Sequence, residues 1–473
     1  MYRQVRVHPE DQKQQCILWS EDNNETITAY KLCTVTYGMN CAPYLALRVL
    51  KQLADDEESR FPLAAEVVSK NPYVDDVLGG GDSLKIAQEK VEQVDNLFKA
   101  GGFTLKKWVS NDEQVLRPIE ADRHLPVEKA FDDQDTLRAL GLKWNPTSDS
   151  FIFWFKGDII NTPSITKRSI LSVTARLFDP LGWLTPIIVK AKFFLQELWK
   201  IELGWDDPLP KALAAEWENF ASELRTSNSF SIPRWMGTFQ TSNIEIHGFS
   251  DASRVALAAV VYIRVIEGNF TARSTLLAAK TRVAPLKPIT IARLELAAAV
   301  LLTQLTTHVQ GSLGVSNSPI HLWTDSSMAL TWIRGNPFRW KEYVCNRVAL
   351  IKDLHPDARW HHVAGADNPA DAASRGITPT QLQEHSSWWN GPEWLKLPST
   401  AWPNSFPLVP ETTNLEERAA VVLTVAQPAI VWELINNYSK LAKLLRITAL
   451  KLEAVSRMRR LVKKDIKILP QEC

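Results

Sequence analysis

The stretch I-H-G-F-S-D-A-S at residues 246–253 decides the fold, because an apolar strand pattern ends there on an acidic residue, Asp251. Further along, Glu295 lies in I-A-R-L-E-L-A-A, Asp325 in H-L-W-T-D-S-S and Asp371 in N-P-A-D-A-A-S-R-G. Any one of these aspartates alone is as well explained as a helix N-cap. Together, two at strand ends and two on helix patterns, they can converge on one end of a sheet. Carboxylates held that close repel one another unless divalent cations lie between them, as in two-metal phosphodiester hydrolysis.

The elements around these acids form an α/β unit between residues 240 and 380. Its predicted order is strand, strand, strand, helix, strand, helix. The predicted segments are 244–249, 255–265, 270–279, 290–309, 320–324 and 326–334. Such an order predicts a mixed sheet that carries the acids at one edge.

Composition limits the other possibilities. The 473 residues suggest about three domains, and the formal net charge of +1 gives no global sign of a nucleic-acid partner. Five cysteines without C-x-x-C spacing favour reduced thiols over disulfides or a zinc site. Neither a signal peptide nor an apolar run of roughly 20 residues is present, so we expect no membrane segment.

The first 145 residues carry a second acidic motif. Y-V-D-D at residues 73–76 is followed by Gly79-Gly80-Gly81, which predicts a hairpin or tight turn. Strand-like runs at 15–19 and 27–36 and helix patterns at 42–55 and 83–100 surround it. A turn without catalytic meaning is the alternative for Y-V-D-D alone.

Residues 240–380 resemble the RNase H domain of retroelement polyproteins, which cut the RNA strand of RNA–DNA hybrids. The resemblance implies that Asp251, Glu295, Asp325 and Asp371 bind two Mg²⁺ or Mn²⁺ ions. Relatives with a mobile catalytic histidine carry it in a loop that is too short here, between Gly365 and Pro369. His362 instead occupies a strand position, so it is either catalytic or a wall or backbone-bonding histidine.

Y-V-D-D in its context resembles the polymerase motif of reverse transcriptases. By that resemblance, Asp75 and Asp76 are a metal-binding pair. The same resemblance implies contacts to nucleotide, template or primer at several positions: Gly38, Pro43, Tyr73, Lys106 and Trp144. A third carboxylate, from a preceding palm strand, is not found in the sequence, so we expect no DNA polymerisation.

V-H-P-E-D at residues 7–11 and S-V-T-A-R-L-F-D-P-L-G-W-L-T-P at residues 172–186 are similar to BEL/Pao-class long-terminal-repeat retrotransposon polyproteins. The implied fold class is a multidomain α+β and α/β chain. Its parts are a truncated reverse-transcriptase palm (1–146), a helical thumb/connection-like region (147–238), an RNase H-like mixed-sheet domain (239–380), and a linker with a helical integrase start (381–473). Arg168 and Arg176, with Lys190 and Lys192, either track phosphates or form a solvated helix face.

The tail from Ile430 resembles the first helix of a downstream integrase, and its basic run either binds nucleic acid nonspecifically or is a solvated helix face. That run comprises Arg457, Arg459, Arg460, Lys463, Lys464 and Lys467. The implied partners are RNA–DNA hybrid, RNA, DNA and the remainder of a Pol polyprotein, within a cytoplasmic virus-like particle. A noncatalytic nucleic-acid-binding remnant or a decayed retroelement product is the alternative. The sequence has no D-S-G or D-T-G motif, so proteolysis is not expected.

Overall fold

The computed structural model describes most of the chain: residues 1–20, 27–73, 76–125, 138–139, 141–153, 155, 165–227, 229–239, 241–267, 271–403, 416–418 and 440–458. The chain forms two compact units, Met1–Glu417 and Arg418–Cys473.

The N-terminal part of the first unit has its own hydrophobic core, which includes Leu50, Val68 and Leu97. Helix α3 begins where the sequence predicts, since the Ser83 side chain accepts a hydrogen bond from the Ile86 backbone N–H at 3.3 Å. The elements of this part are β1 (Cys16–Trp19), β2 (Thr28–Lys31), α1 (Ala42–Glu57), α2 (Pro62–Lys70), β3 (Pro72–Tyr73), β4 (Asp76–Val77) and α3 (Leu84–Ala100).

The region between residues 147 and 238 is less helical than predicted. A four-stranded sheet in the order β5-β6-β7-β8 brackets its helices. The period-two pattern of β8, in which Phe230 and Ile232 are buried, specifies a strand rather than a helix. The elements are β5 (Arg138–Ala139), β6 (Leu142–Asn145), β7 (Ser150–Phe153), α4 (Lys167–Arg176), α5 (Thr185–Trp199), α6 (Lys211–Thr226) and β8 (Phe230–Pro233).

Strands β9–β13 form a five-stranded mixed sheet in the order β11-β10-β9-β12-β13 among the described residues. Strand β10 pairs antiparallel with both β11 and β9, whereas β9, β12 and β13 run parallel to one another. Because carboxyl ends of parallel strands lie at one edge, β9 and β12 end beside each other. The strand bounds are β9 (Asn243–Ala252), β10 (Ala256–Glu267), β11 (Thr271–Val283), β12 (Ile320–Thr324) and β13 (Arg359–His362).

Helices pack against both faces of this sheet. The predicted order of strands and helices is confirmed, and the structure adds a helix that the sequence analysis did not name, α9. The helix bounds are α7 (Ile291–Leu313), α8 (Ser327–Arg334), α9 (Glu342–Leu354), α10 (Ala370–Arg375), α11 (Pro379–Glu384) and α12 (Ser386–Asn390).

Each face of the sheet has a separate hydrophobic core. Helices α7, α8 and α9 pack on one face, where Leu302, Trp332 and Val348 are buried. On the other face Phe249 and Trp323 share a core with residues of α4, α5 and α6 and of the segment 363–402. The predicted boundary between residues 238 and 239 therefore runs through one core.

The segment predicted to be a linker after residue 381 is instead packed against the sheet as far as Trp402. The Tyr262 hydroxyl donates to the carbonyl of Trp388 at 2.7 Å, and Arg264 Nε donates to the carbonyl of Leu395 at 2.6 Å. Burial of the large apolar side chains of this segment stabilises its packing against the sheet, although its backbone is irregular and interrupted by prolines.

The D-P-L-G-W loop lies along the free edge of the sheet. The backbone N–H of Ala279 in β11 donates to the carbonyl of Leu181 at 2.8 Å. Gly182 has φ +78°, and a Cβ at this position would lie 1.8 Å from the Ala279 carbonyl oxygen. Glycine is therefore needed here both for its conformation and for the close approach of two backbones.

In the second unit the described residues contain the helix α13, Leu441–Met458. None of the described helices has the length and apolar character required to cross a membrane.

Candidate metal centre

Three of the four predicted acids meet at the carboxyl edge of β9 and β12. Asp251 lies at the end of β9, Asp325 directly follows β12, and Glu295 is in the second turn of α7. One carboxylate oxygen from each of the three lies within 4.8 Å of those of the other two. The sheet register creates this proximity, because β12 pairs with β9 in parallel up to Thr324 opposite Ser250.

Glu295 is held against the sheet by the packing of α7. Its side chain accepts a hydrogen bond from the backbone of Ala252, and the residue is 7% exposed. Within the part of the chain that the structure describes, Glu295 Oε2 and Asp325 Oδ1 are buried without a hydrogen-bond partner. Buried carboxylate oxygens left in this way are costly unless another group satisfies them.

Asp371 approaches the same centre from α10 and is partly exposed, with its carboxylate paired to Arg375. It lies outside the close group of three. Its charge nevertheless contributes to the raised pKa of Asp251, of Glu295 and of Asp325. Asp371 therefore faces the three acids, on the solvent side of the centre.

The electrostatics of the centre are those of a site built to hold cations. Burial, followed by the charges of neighbouring acids, raises the pKa of Glu295 to about 9. Burial also raises the pKa of Asp251 to about 6, opposed by a hydrogen bond from Ser374. The pKa of Asp325 is raised by burial as well. Burial is the largest cause of each shift, and repulsion between the neighbouring acids adds to it.

The donor set fits a divalent cation of the magnesium type. All four groups offer carboxylate oxygen, which hard cations such as Mg²⁺ prefer. The unsatisfied buried oxygens belong to Glu295 and Asp325, two of the three residues that converge, in agreement with the oxygen-only donor set. The residues present therefore fit the implied metal.

His362 lies at the end of β13 with its Nε2 atom 3.2 Å from the backbone carbonyl oxygen of Asp325. This contact is of the backbone-bonding kind. The loop that follows also comes close, since a Cβ on Gly365 would lie 3.3 Å from Asp325 Oδ2. His362 thus lies beside the centre, and its contact supports the backbone of Asp325.

Two polar residues of the centre were missed by sequence analysis, Asn368 and Ser374. Both are buried and lie in the motif N-P-A-D-A-A-S-R-G. The available signal was the spacing of Ser374, three residues after Asp371, which places both on neighbouring parts of one helix face.

The reverse-transcriptase-like residues lie in the N-terminal part. Tyr73 is 56% exposed in β3 and lies opposite Asp76 of β4 in an antiparallel pair. Asp75 lies outside the described residues. Gly38 has φ +85°, Pro43 is in the first turn of α1, and Lys106 is exposed. Their roles in nucleotide or template binding stay predictions.

Arg168 and Trp144 make hydrogen bonds within the protein, whereas Arg176 is exposed. Arg168 makes two hydrogen bonds to Asp206, at 2.7 and 2.9 Å, so a phosphate would compete with this carboxylate. Trp144 Nε1 donates to Asp149 at 3.0 Å. Arg176 is exposed at the end of α4. In the basic run of the tail, Arg459, Arg460 and the three lysines lie outside the described residues.

A mixed sheet in this strand order, with carboxylates at the ends of its central parallel strands, defines an RNase H-like domain. Residues 166–326 match the family model described as "Pao retrotransposon-like RNaseH-like domain". This part of the chain is therefore similar to the RNase H-like domain of Pao-type retrotransposons. The match contains Asp251, Glu295 and Asp325 and ends before Asp371.

Solved structures with similarity to the chain include a foamy viral protease-reverse transcriptase in complex with RNA/DNA hybrid. It shares 13% identity with a TM-score of 0.44, over 77% of this chain and 43% of the viral chain. RNase H1 from the archaeon Halobacterium salinarum NRC-1 shares 18% identity with a TM-score of 0.21, over 30% of this chain and 99% of the archaeal one. A comparison with curated proteins gives no match.

Proposed function

We propose that the chain is a divalent-cation-dependent ribonuclease of the RNase H type that cleaves the RNA strand of RNA–DNA hybrids. The observation that carries the proposal is the convergence of Asp251, Glu295 and Asp325 within 4.8 Å. The family match to residues 166–326 supports the reaction class. The hybrid substrate is inferred from the resemblance of the four acidic motifs to retroelement RNase H domains.

Asp251, Glu295 and Asp325 would hold one cation, and Asp371 with Asp251 would hold a second. Mg²⁺ or Mn²⁺, when bound, would supply an activated water and stabilise the leaving oxygen of the phosphodiester. Glu295, whose pKa is raised to about 9 by burial and neighbouring acids, carries a proton at neutral pH in the free protein. This proton leaves when the carboxylate becomes a ligand, because ligands bind in the deprotonated form.

The protein's own groups also shape access to the centre. Burial of Asp251 and Glu295 keeps water away from the inner side, while Asp371 remains on the solvent side where a phosphodiester would arrive. Arg375 is exposed and paired to Asp371. We infer that Arg375 exchanges this carboxylate for a backbone phosphate of the nucleic acid, since a guanidinium forms charge-assisted hydrogen bonds with both groups.

The test is cleavage of an end-labelled RNA–DNA hybrid by the full chain with Mg²⁺ or Mn²⁺. Asp325→Asn removes one ligand charge with little change in shape, and we expect it to abolish cleavage. Asp353→Asn is the matched control, because Asp353 is exposed near the end of α9. That helix is followed by the start of β13, at the end of the sheet opposite the acids. A DNA duplex and single-stranded RNA of the same sequence should remain intact.

Folded wild-type protein that binds the hybrid and leaves it uncut would refute the proposal and favour a noncatalytic binding remnant. Cleavage that persists in Asp325→Asn would refute the assignment of the centre. Association with the remainder of a Pol polyprotein and with cytoplasmic virus-like particles is inferred from the family resemblance.

A further inference from the structure

Helix α10, which carries Asp371, is attached to the strand end of Asp251 by a buried polar side chain near each of its two ends. Ser374, in the helix, is 0% exposed, and Asn368, which precedes the helix, is 3% exposed. Buried polar groups of this kind are retained where they make specific hydrogen bonds.

Ser374 connects the helix directly to a metal-binding acid. Its hydroxyl donates to Asp251 Oδ2, and its backbone carbonyl accepts a hydrogen bond from the Ser253 hydroxyl at 2.8 Å. A hydrogen bond to a carboxylate is about twice as strong as one between neutral groups. The bond therefore favours one rotamer of Asp251, and the same hydroxyl also lies 3.1 Å from the backbone carbonyl oxygen of Asp371.

Asn368 connects the other end of the helix to the same strand. Its Nδ2 atom donates to the backbone carbonyl of Ser250 at 2.9 Å, and its Oδ1 atom accepts from the backbone N–H of Ala370 at 3.2 Å. Ser250 directly precedes Asp251, so one amide side chain spans the strand end and the first turn of α10.

The two side chains form a clamp with a defined geometric consequence. Asp371 lies between them in sequence, so its backbone cannot move away from Asp251 without breaking at least one of these buried bonds. Partners of this kind orient the groups that bind a metal, and their loss typically lowers metal affinity about 10- to 100-fold.

We propose that Ser374 and Asn368 are positioning residues that hold Asp371 at a fixed separation from Asp251 and thereby set the affinity for the divalent cation shared by these two acids. This inference rests on the proposed function for the identity of the ligand. It concerns residues that touch neither substrate nor cation, and it assigns them an effect on affinity rather than on folding.

The experiment measures Mn²⁺ binding to the full chain by calorimetry, together with thermal melting in metal-free buffer. Ser374→Ala removes the donor to Asp251, and Ser374→Thr retains a hydroxyl. Ser253→Ala is the matched control, because it removes a hydrogen bond to the same helix without removing a direct contact to a carboxylate. Asn368→Ala tests the other end of the clamp and also removes a hydrogen bond to the Asp325 carboxylate.

We expect Ser374→Ala and Asn368→Ala to weaken Mn²⁺ binding about 10-fold or more. Ser374→Thr should recover most of the Mn²⁺ affinity. Ser253→Ala should lower the melting temperature and retain the Mn²⁺ affinity of wild type. In cleavage assays, the Mg²⁺ concentration for half-maximal rate should rise in the Ala variants while the rate at saturating Mg²⁺ approaches that of wild type.

Wild-type affinity in Ser374→Ala, or an equal loss in Ser253→Ala, would overturn the inference. If wild type binds Mn²⁺ without cutting the hybrid, the nuclease proposal fails, and weaker binding by Ser374→Ala still supports the clamp. Should Asn368→Ala fail to fold, Ser374→Ala and Ser374→Thr decide the matter by themselves.

Discussion

Replacement of Glu295 by glutamine is expected to stabilise the metal-free protein. Burial first, and then the charges of Asp251 and Asp325, raise the pKa of Glu295 from 4.5 to about 9. A carboxyl whose pKa is higher in the folded than in the unfolded state favours folding at low pH. That contribution is lost progressively as pH rises from the unfolded pKa toward the folded one.

The magnitude follows from the interval between the unfolded pKa and the assay pH. Between the unfolded pKa of 4.5 and pH 7 lie about 2.5 pH units, over which Glu295 is ionised in the unfolded chain and protonated in the folded one. Each unit corresponds to about 1.4 kcal/mol. The titration of Glu295, taken alone, therefore makes the wild-type protein less stable at pH 7 than below pH 4.5 by on the order of 3 kcal/mol. Glu295→Gln, which cannot titrate, escapes this loss, and its melting temperature should exceed that of wild type by roughly 5–10 °C.

The assay is thermal melting in chelator at pH values from 4 to 9. The difference between wild type and Glu295→Gln should be small at pH 4 and grow with pH, whereas Glu223→Gln, an exposed residue of α6, should follow wild type throughout. Added Mg²⁺ should stabilise wild type and not Glu295→Gln, which reverses the order. Equal melting curves at every pH in chelator would refute the view that the fold raises the pKa of Glu295.

Three further predictions concern the packing around the centre. Burial lowers the pKa of His321 to about 3 and of His361 to about 4. The stability that these two histidines contribute should therefore be complete above pH 6.5 and fall by a few kcal/mol as pH drops toward 4. Melting of wild type against His321→Gln over this pH range checks the prediction. Gly182→Ala should destabilise by about 3 kcal/mol, measured by denaturant unfolding, because its Cβ would overlap the carbonyl oxygen of Ala279. Trp388→Ala should lower stability by about 3–5 kcal/mol in the same assay, and an unchanged midpoint would contradict its burial in the core.

The strand ends that carry Asp251 and Asp325 were predicted more accurately than the segments that pack around them. Strand patterns that end on Asp251 and Asp325 have a strong period and apolar character, and β12 was predicted with its observed bounds, Ile320–Thr324. Parallel pairing then brings the strand ends together with no further information. The convergence of these acids was therefore predictable from local pattern and one rule of sheet topology.

Interactions between distant segments were not predictable in this way. The segment around Trp388 has no regular period, and what orders it is the hydroxyl of Tyr262 and the guanidinium of Arg264, more than 120 residues earlier. Residues buried by such long-range contacts resemble linkers in the sequence, because tryptophan and proline alone do not indicate a partner. The clamp residue Ser374 was equally hidden, since its partner Asp251 lies 123 positions away.

Helix α10 also depends on the region that precedes the sheet in sequence. The backbone N–H of Ile377 donates to the carbonyl of Pro186 at 3.0 Å. Gly376 has φ +77°, and a Cβ there would lie 2.7 Å from Lys190 Cγ. Helix α5 thus supports α10 from the side opposite the clamp, and the matched family region, 166–326, contains this helix together with three of the acids. The fourth acid is held by a helix packed between α5 and the sheet, so changes in α5 should act on cation affinity as well as on stability.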